Sequence, residues 1–262
     1  MVFYPLSSLM LSGIRNILII STQEDLPSYR KILGDGADLG LDFCYEVQLS
    51  PAGIAQALII GRDFVGSNSV TLILGDNIFY GQGLSHLFQT AIRANDGATV
   101  FGYPVKDPQR YGVAEFDDKG NLSAIVEKPS CPKSNCAVTG LYIYDSEVIE
   151  IARALKPSSR GELEISDVNN EYLRRGRLKL IRLGRGVSWL DTGTPDALLE
   201  TSQYFAAIEH RQGLKVACLE EVAYRMGYID SQQVRRLANR YNGDFRDYLE
   251  SIASEPQTGD MS

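Results

Sequence analysis

The chain has 262 residues, enough to bury a full core as one large α/β domain or two smaller ones. A formal charge of −7 leaves no broad basic surface to neutralise a nucleic-acid backbone, although a few local cations can still hold a nucleotide-sized anion. With 44% hydrophobic and 23% charged residues the composition is that of an ordinary globular protein, not a disordered or fibrous one. No apolar run approaches the roughly 20 residues of a membrane span, and the apolar stretch from Met1 to Leu11 lacks the basic segment that opens a secretory signal. Cys44, Cys131, Cys136 and Cys218, with His86 and His210, show no zinc-ligand spacing, so buried or half-buried free thiols in a reducing cytoplasm are expected.

In chain order, Pro5 opens a short helix over Leu6–Leu11 that Gly13 stops, and Asn16–Ile20 is a buried strand. A helix over 26–33, a strand over 43–47 and a helix over 53–61 follow. The next elements are a strand over 70–74, a helix over 84–94 and a strand over 98–102. This alternation predicts a parallel sheet built of βαβ units. After Tyr103 the rhythm changes: Val113–Asp117 and Leu122–Glu127, joined by Asp118-Lys119-Gly120-Asn121, read as a β-hairpin. A strand over 137–144, helices over 146–155 and 165–175 and an extended segment over 178–183 lead to a C-terminal part that is helical from Pro195 onward. The last helical pair, over 231–252, is broken at Asn242-Gly243 and followed by a polar tail. The expected division is an α/β domain over 1–212 and a helical subdomain over 213–262.

Two aspartates end apolar, strand-like runs: Asp76 follows Val70–Gly75, and Asp191 follows Val187–Leu190. Carboxylates at the carboxyl ends of strands stand where open α/β sheets bind ligands, and two of them can share a Mg²⁺ that bridges phosphates. Each motif alone also suits a plain strand-ending turn. Other candidates surround them. Glu127 and Lys128 end a hairpin strand before Pro129, the lysine suited to a phosphate and the glutamate to sugar hydroxyls. Gln48, Gly53 and Gln56 bracket a loop entering a helix, where amides can read a base edge. Tyr111 and Gly112 suit a sugar pocket, Arg160 a phosphate clamp, and Trp189 either the core or a ligand wall.

Apart from Gln48, Gly53 and Gln56, these residues lie in segments that resemble the bacterial glucose-1-phosphate thymidylyltransferase family: Tyr4-Pro5-Leu6, Gly13–Thr22, Leu74–Phe79, Phe101-Gly102-Tyr103, Tyr111-Gly112-Val113, Glu127-Lys128-Pro129, Val138–Tyr142, Arg160–Ile165 and Trp189–Thr194. The resemblance runs to about Met226 and implies a Rossmann-like nucleotidyltransferase sheet with an inserted β-hairpin region and C-terminal helices. It implies that Asp76 and Asp191 hold Mg²⁺, that Gln48 and Gly53 face thymine, and that Tyr111, Gly112, Glu127 and Val138 line the glucose site. Lys128 and Arg160 would then meet the sugar phosphate. The implied substrates are dTTP and glucose 1-phosphate, and the implied assembly is a homotetramer with a second, regulatory nucleotide site near Cys218–Arg225.

The family's opening strand, its loop G-G-x-G-T-R-L-x-P and its S-K-x-L-L-P segment have no counterpart here, an apparent gap of one βα unit of roughly 30 residues. A misassigned start, a fragment or a genuine loss would each produce it. Its expected consequences are unpaired backbone on neighbouring strands, apolar surface uncovered around Ile17–Ile20, and impaired activity of the chain as given. Two rival readings stand beside the first: a related sugar-1-phosphate nucleotidyltransferase using UTP or CTP, and a non-catalytic remnant.

Overall fold

The computed structural model describes residues 1–257, so the end of the expected polar tail lies outside the described residues. Helix α1 (Phe3–Leu11) leads to strand β1 (Asn16–Ser21), α2 (Leu26–Leu33) and β2 (Asp42–Val47). The short helices α3 (Gln56–Ile60) and α4 (Arg62–Val65) precede β3 (Val70–Ile73), β4 (Asn77–Tyr80), α5 (Leu84–Arg93) and β5 (Ala98–Pro104). The hairpin β6 (Gly112–Phe116) and β7 (Leu122–Glu127) is followed by β8 (Cys136–Tyr144), α6 (Val148–Ala154), α7 (Ile165–Arg174), β9 (Leu178–Arg182) and β10 (Ser188–Asp191). Helices α8 (Pro195–Gln212), α9 (Leu219–Arg225), α10 (Ser231–Ala238) and α11 (Asp244–Ile252) complete the described chain. None of these helices is long and apolar enough to cross a membrane.

Local chemistry explains several boundaries. Thr194 caps α8 by accepting the Ala197 N–H, Pro195 occupies its first turn, and Gly213 ends it in the left-handed conformation. Asp230 caps α10 through the Gln233 N–H. The expected helix over 53–61 begins only at Gln56 because Gly53, at φ +101°, lies against the backbone of Leu163; a Cβ there would sit 2.4 Å from the Leu163 carbonyl oxygen.

The expected parallel arrangement is only partly present. β1 pairs with β2, and β5 with β9, in parallel, but β8 runs antiparallel between β3 and β5. β3 and β5 therefore keep a common direction with a strand inserted between them, a topology that alternation of strands and helices does not encode. All nine residues of β8 are buried. One face, with Val138, Tyr142 and Tyr144, packs with α3, α6 and α7; the other, with Ala137, Leu141 and Ile143, packs with α5, Phe101 and Trp189. A third cluster joins α1, β1 and β2 to α9, α10 and α11. Cys136 and Cys218 are buried as expected, whereas Cys44 and Cys131 are exposed because they lie on an outer strand and a turn.

Among the described residues β1 has β2 as its only strand partner and β3 has only β8. Their facing edges border an apolar groove of about 210 Å³ that includes Ile17, Leu18, Ile20, Leu72 and Ile73. Ile17 is buried, while Leu18, Ile19 and Ile20 are half-buried. The Arg15 and Ser21 carbonyls bond to β2 and its extension, and the Leu74 N–H bonds to Gly140, so the alternate residues Leu18, Ile20, Thr71 and Ile73 direct their backbone groups into the groove. Amide exchange at these four positions is expected to be faster than at Leu72 and Ile143 by about a hundredfold or more, because exposed ladder groups open at little cost. Uniform protection across β1, β3 and β8, measured by residue-resolved hydrogen exchange, would contradict two free edges.

Candidate active site

The short β4–β10 ladder brings the two aspartates together. Its antiparallel register places Asp191 opposite Asn77, the residue after Asp76. Beyond the ladder, the Thr192 N–H and hydroxyl both donate to the Asp76 carbonyl, at 2.9 and 2.8 Å. A Cβ on Gly193 would lie 3.0 Å from Asp191 Oδ1 and 3.4 Å from Asp76 Oδ2, so both carboxylates border one small space. Asn77 Nδ2 donates to Asp76 Oδ1 and the Gly193 N–H to Asp191 Oδ1, each at 2.9 Å. One oxygen of each carboxylate is thereby fixed by the protein, and the other has no hydrogen-bond partner among the described residues. Two hard oxygen donors suit Mg²⁺, which keeps several waters and takes its remaining ligands from phosphates. No cluster of three or more histidine, cysteine, aspartate or glutamate side chains occurs among the described residues.

Asn77 is a site residue that sequence reasoning quoted but gave no role. Its buried Oδ1 accepts from the Gly140 N–H at 2.9 Å and from Trp189 Nε1–H at 2.6 Å. Gly140 permits this approach, since a Cβ there would stand 2.6 Å from Asn77 Oδ1. Trp189 packs in the core, as one of the two expected readings has it, and also borders the cavity beside the aspartates.

That cavity, of about 170 Å³, gathers Asp76, Tyr111, Gly112, Glu127, Lys128, Val138, Trp189 and Asp191, eight of the expected residues. Tyr111 packs edge-on to Trp189 at 5.1 Å, and burial followed by the nearby Asp191 charge raises its hydroxyl pKa. Gly112 is paired with Glu127 in the hairpin, and the Lys128 N–H donates to the Tyr111 carbonyl at 3.0 Å. Lys128 has φ +41°, an uncommon conformation for a side-chain-bearing residue, held by that bond and by the turn into Pro129. No carboxylate lies within ion-pair distance of Lys128 among the described residues. Glu127 has its pKa raised by burial and then by Glu164, against the opposing pull of Ser166, Lys128 and Arg160.

Arg160, Gln48, Gly53 and Gln56 lie outside this cavity's wall. Arg160 spreads over Glu162 at 2.8 Å, Glu164 at 3.6 Å and Glu127 at 3.7 Å. Gln48 donates to Gln56 Oε1 at 2.7 Å, and Gly53 belongs to a loop stitched to residue 163 by the Leu163 N–H to Ala52 carbonyl bond. Ile54, next to Gly53, does reach the cavity. Sequence reasoning also passed over Tyr142, Ser166 and Asn169. Ser166 and Asn169 are buried polar residues among the apolar Ile165, Val168 and Tyr172 of α7, and that break in an apolar helix face was the signal available.

The Nucleotidyl transferase family profile matches residues 1–207. A glucose-1-phosphate thymidylyltransferase of Xanthomonas campestris is 53% identical over 254 residues, which are 97% of this chain and 86% of that protein. One from Mycobacterium tuberculosis is 49% identical over 250 residues, 95% of this chain and 86% of its own length. The chain belongs to the glucose-1-phosphate thymidylyltransferase family. A candidate glucose-1-phosphate thymidylyltransferase of Bacillus anthracis, crystallised with sucrose, superposes with a TM-score of 0.70 at 39% identity, covering 78% of this chain and 81% of that one. A UDP-glucose pyrophosphorylase crystallised with UDP-glucose shares the fold alone, at a TM-score of 0.64 and 22% identity over 79% of this chain and 86% of its own. As a thymidylyltransferase family member the chain is a nucleotidyltransferase of mixed α/β fold with C-terminal helices.

Replacing Asn77 by alanine would leave the Gly140 N–H and the Trp189 indole N–H buried without acceptors. At about 1–3 kcal/mol for each orphaned donor, Asn77→Ala is expected to destabilise the fold by about 3 kcal/mol. Denaturant unfolding checks this, and a change below about 0.5 kcal/mol would remove Asn77 from its central place.

Proposed function

We propose that this family member transfers the thymidylyl group of dTTP to glucose 1-phosphate in the cavity between Asp76, Asp191 and Lys128, releasing pyrophosphate. The observation that carries the reading is the convergence of two half-free carboxylates and an unpaired lysine on one cavity. A sugar 1-phosphate has a second pKa of about 6, so it is already a competent nucleophile near neutral pH and needs no general base. The work left to the protein is placement and charge neutralisation.

Asp76 and Asp191 would hold Mg²⁺, which supplies Lewis-acid neutralisation of the reacting phosphates. Lys128 places the sugar phosphate, with its backbone fixed by Tyr111 and its ammonium free of carboxylate partners. Glu127 accepts from sugar hydroxyls, and Gly112 keeps that wall low because it carries no side chain. Val138 and Trp189 give the sugar ring apolar contact and keep water out. Gln48 and Gly53, in the loop leading to Ile54, border the thymine, and Arg160 turns from its three carboxylates toward the sugar phosphate when substrate arrives.

A regulatory nucleotide site is supported by a second cavity, of about 750 Å³, that includes Cys218, Glu221, Val222 and Arg225. A homo-oligomer is supported by the exposed Leu198, Leu199 and Tyr204 on α8, and sedimentation at equilibrium reads it directly.

Pyrophosphate release from residues 1–262 with glucose 1-phosphate, Mg²⁺ and each of dTTP, UTP, CTP and ATP tests the reaction. Highest turnover with dTTP is expected; preference for UTP or CTP would select the related nucleotidyltransferase reading, and no release with any nucleotide would favour the remnant. Asp76→Asn and Asp191→Asn should each lower turnover by about a hundredfold or more, the scale of losing one preorganised electrostatic group. Lys128→Ala should weaken glucose 1-phosphate binding by about tenfold while changing dTTP binding much less. Equal losses for the two substrates would place Lys128 in the wrong subsite.

A further inference from the structure

Asn169 holds a polar group that the fold itself does not use. The residue is 1% exposed, and its Oδ1 accepts a 2.7 Å hydrogen bond from the Tyr144 hydroxyl. Its Nδ2 is buried with no hydrogen-bond partner, one of two such side-chain atoms among the described residues. The other, Thr139 Oγ1, belongs to a residue between Val138 and Gly140 that does not border the active-site cavity, whereas Asn169 does. A buried amide donor left unpaired is costly, and a role confined to the Tyr144 hydroxyl would require only an acceptor.

The position of this amide is fixed. Asn170, the next residue, donates to the Ile125 carbonyl at 2.7 Å and accepts the Ile125 N–H at 2.9 Å, clamping α7 onto β7. β7 ends at Glu127, directly before Lys128, so the helix carrying Asn169 is tied to the strand carrying the sugar-facing residues. Ser166, one turn earlier, borders the same cavity as the Glu127 carboxylate and opposes the rise in its pKa. The α7 wall therefore offers an amide donor beside an acceptor carboxylate, the pair of functions that two hydroxyls of one ring can satisfy together.

We infer that Asn169 is a specificity-determining residue of the sugar subsite, its Nδ2–H donating to one hydroxyl of the hexose. The inference rests on the proposed use of this cavity for glucose 1-phosphate. A hexose lacking that hydroxyl leaves the amide unpaired, so the site discriminates by the cost of an unmet donor.

Calorimetric binding of glucose 1-phosphate and its 2-, 3-, 4- and 6-deoxy analogues to the parent chain, to Tyr144→Phe and to Tyr144→Phe/Asn169→Leu tests this. The double variant avoids stranding the Tyr144 hydroxyl. Parent and Tyr144→Phe are expected to bind one analogue about tenfold more weakly than glucose 1-phosphate. In the double variant that penalty should vanish, while the affinities of the other three analogues relative to glucose 1-phosphate stay as they are in Tyr144→Phe. Unchanged penalties in the double variant would overturn the role of Asn169 and leave the sugar site standing. Failure of the parent chain to bind any of the five sugar phosphates would overturn both. A measurement without core substitution accompanies it: the Asn169 side-chain amide resonance of the parent should shift saturably with glucose 1-phosphate but not with inorganic phosphate. An unmoved resonance, or one moved equally by phosphate, would also overturn the role.

Discussion

The buried amide of Asn77 is the constraint on which the rest of the site depends. Its two ends serve three segments far apart in sequence: the Asp76 carboxylate beside it, the backbone of β8 at Gly140 and the indole of Trp189 on β10. An apolar residue of similar size would pack but could not orient the carboxylate, and an aspartate would set two like charges side by side. Only an amide, donor at one end and acceptor at the other, satisfies all three partners. The need for a bare backbone at Gly140 follows from this arrangement.

The electrostatics of the cavity then become intelligible. Asp76, Asp191 and Glu127 border a cavity that Lys128 and Arg110 also line, neither of them in an ion pair among the described residues, while Arg160 is occupied by three carboxylates. A dianionic sugar phosphate and a triphosphate would be repelled by such a wall unless a divalent cation entered with them. The raised pKa of Glu127 reports the same crowding, with burial as its main cause and Glu164 as the second. With three carboxylates against two cations on the cavity wall, the proposed Mg²⁺ would offset the remaining negative charge.

Much of this was legible in the sequence, and what escaped has a physical reason. The hairpin, the strand 136–144 and the C-terminal helical pair follow from periodicity and turn residues, which are local signals. The insertion of β8 between β3 and β5 is a tertiary choice that no local pattern carries. Glu127, Lys128 and the two aspartates stand out because charges at strand ends are conspicuous. Asn77 and Asn169 do not, because a neutral amide acquires meaning only from what it is buried against. Arg160 shows the converse, since its conspicuous charge is met by Glu162 and Glu164 from its own loop.

One strand links the active-site cavity to the rest of the molecule. β4 spans only four residues: Asn77 at its start borders the active site, while Phe79 and Tyr80 at its end border the larger cavity beside α1 and α9. Its partner β10 carries Asp191 opposite Asn77 and Ser188 opposite Tyr80. A ladder this short has no interior in which to absorb a displacement, because every pair is at or next to an end. Movement of Tyr80 or Gly81 must therefore either be resisted by α1, which packs on β4, or change the register that holds Asp76 and Asp191 together. The hydroxyls of Ser7, Ser8 and Ser12 bond back to carbonyls of the preceding turn, so α1 packs on β4 without bringing unmet hydroxyl groups into that contact.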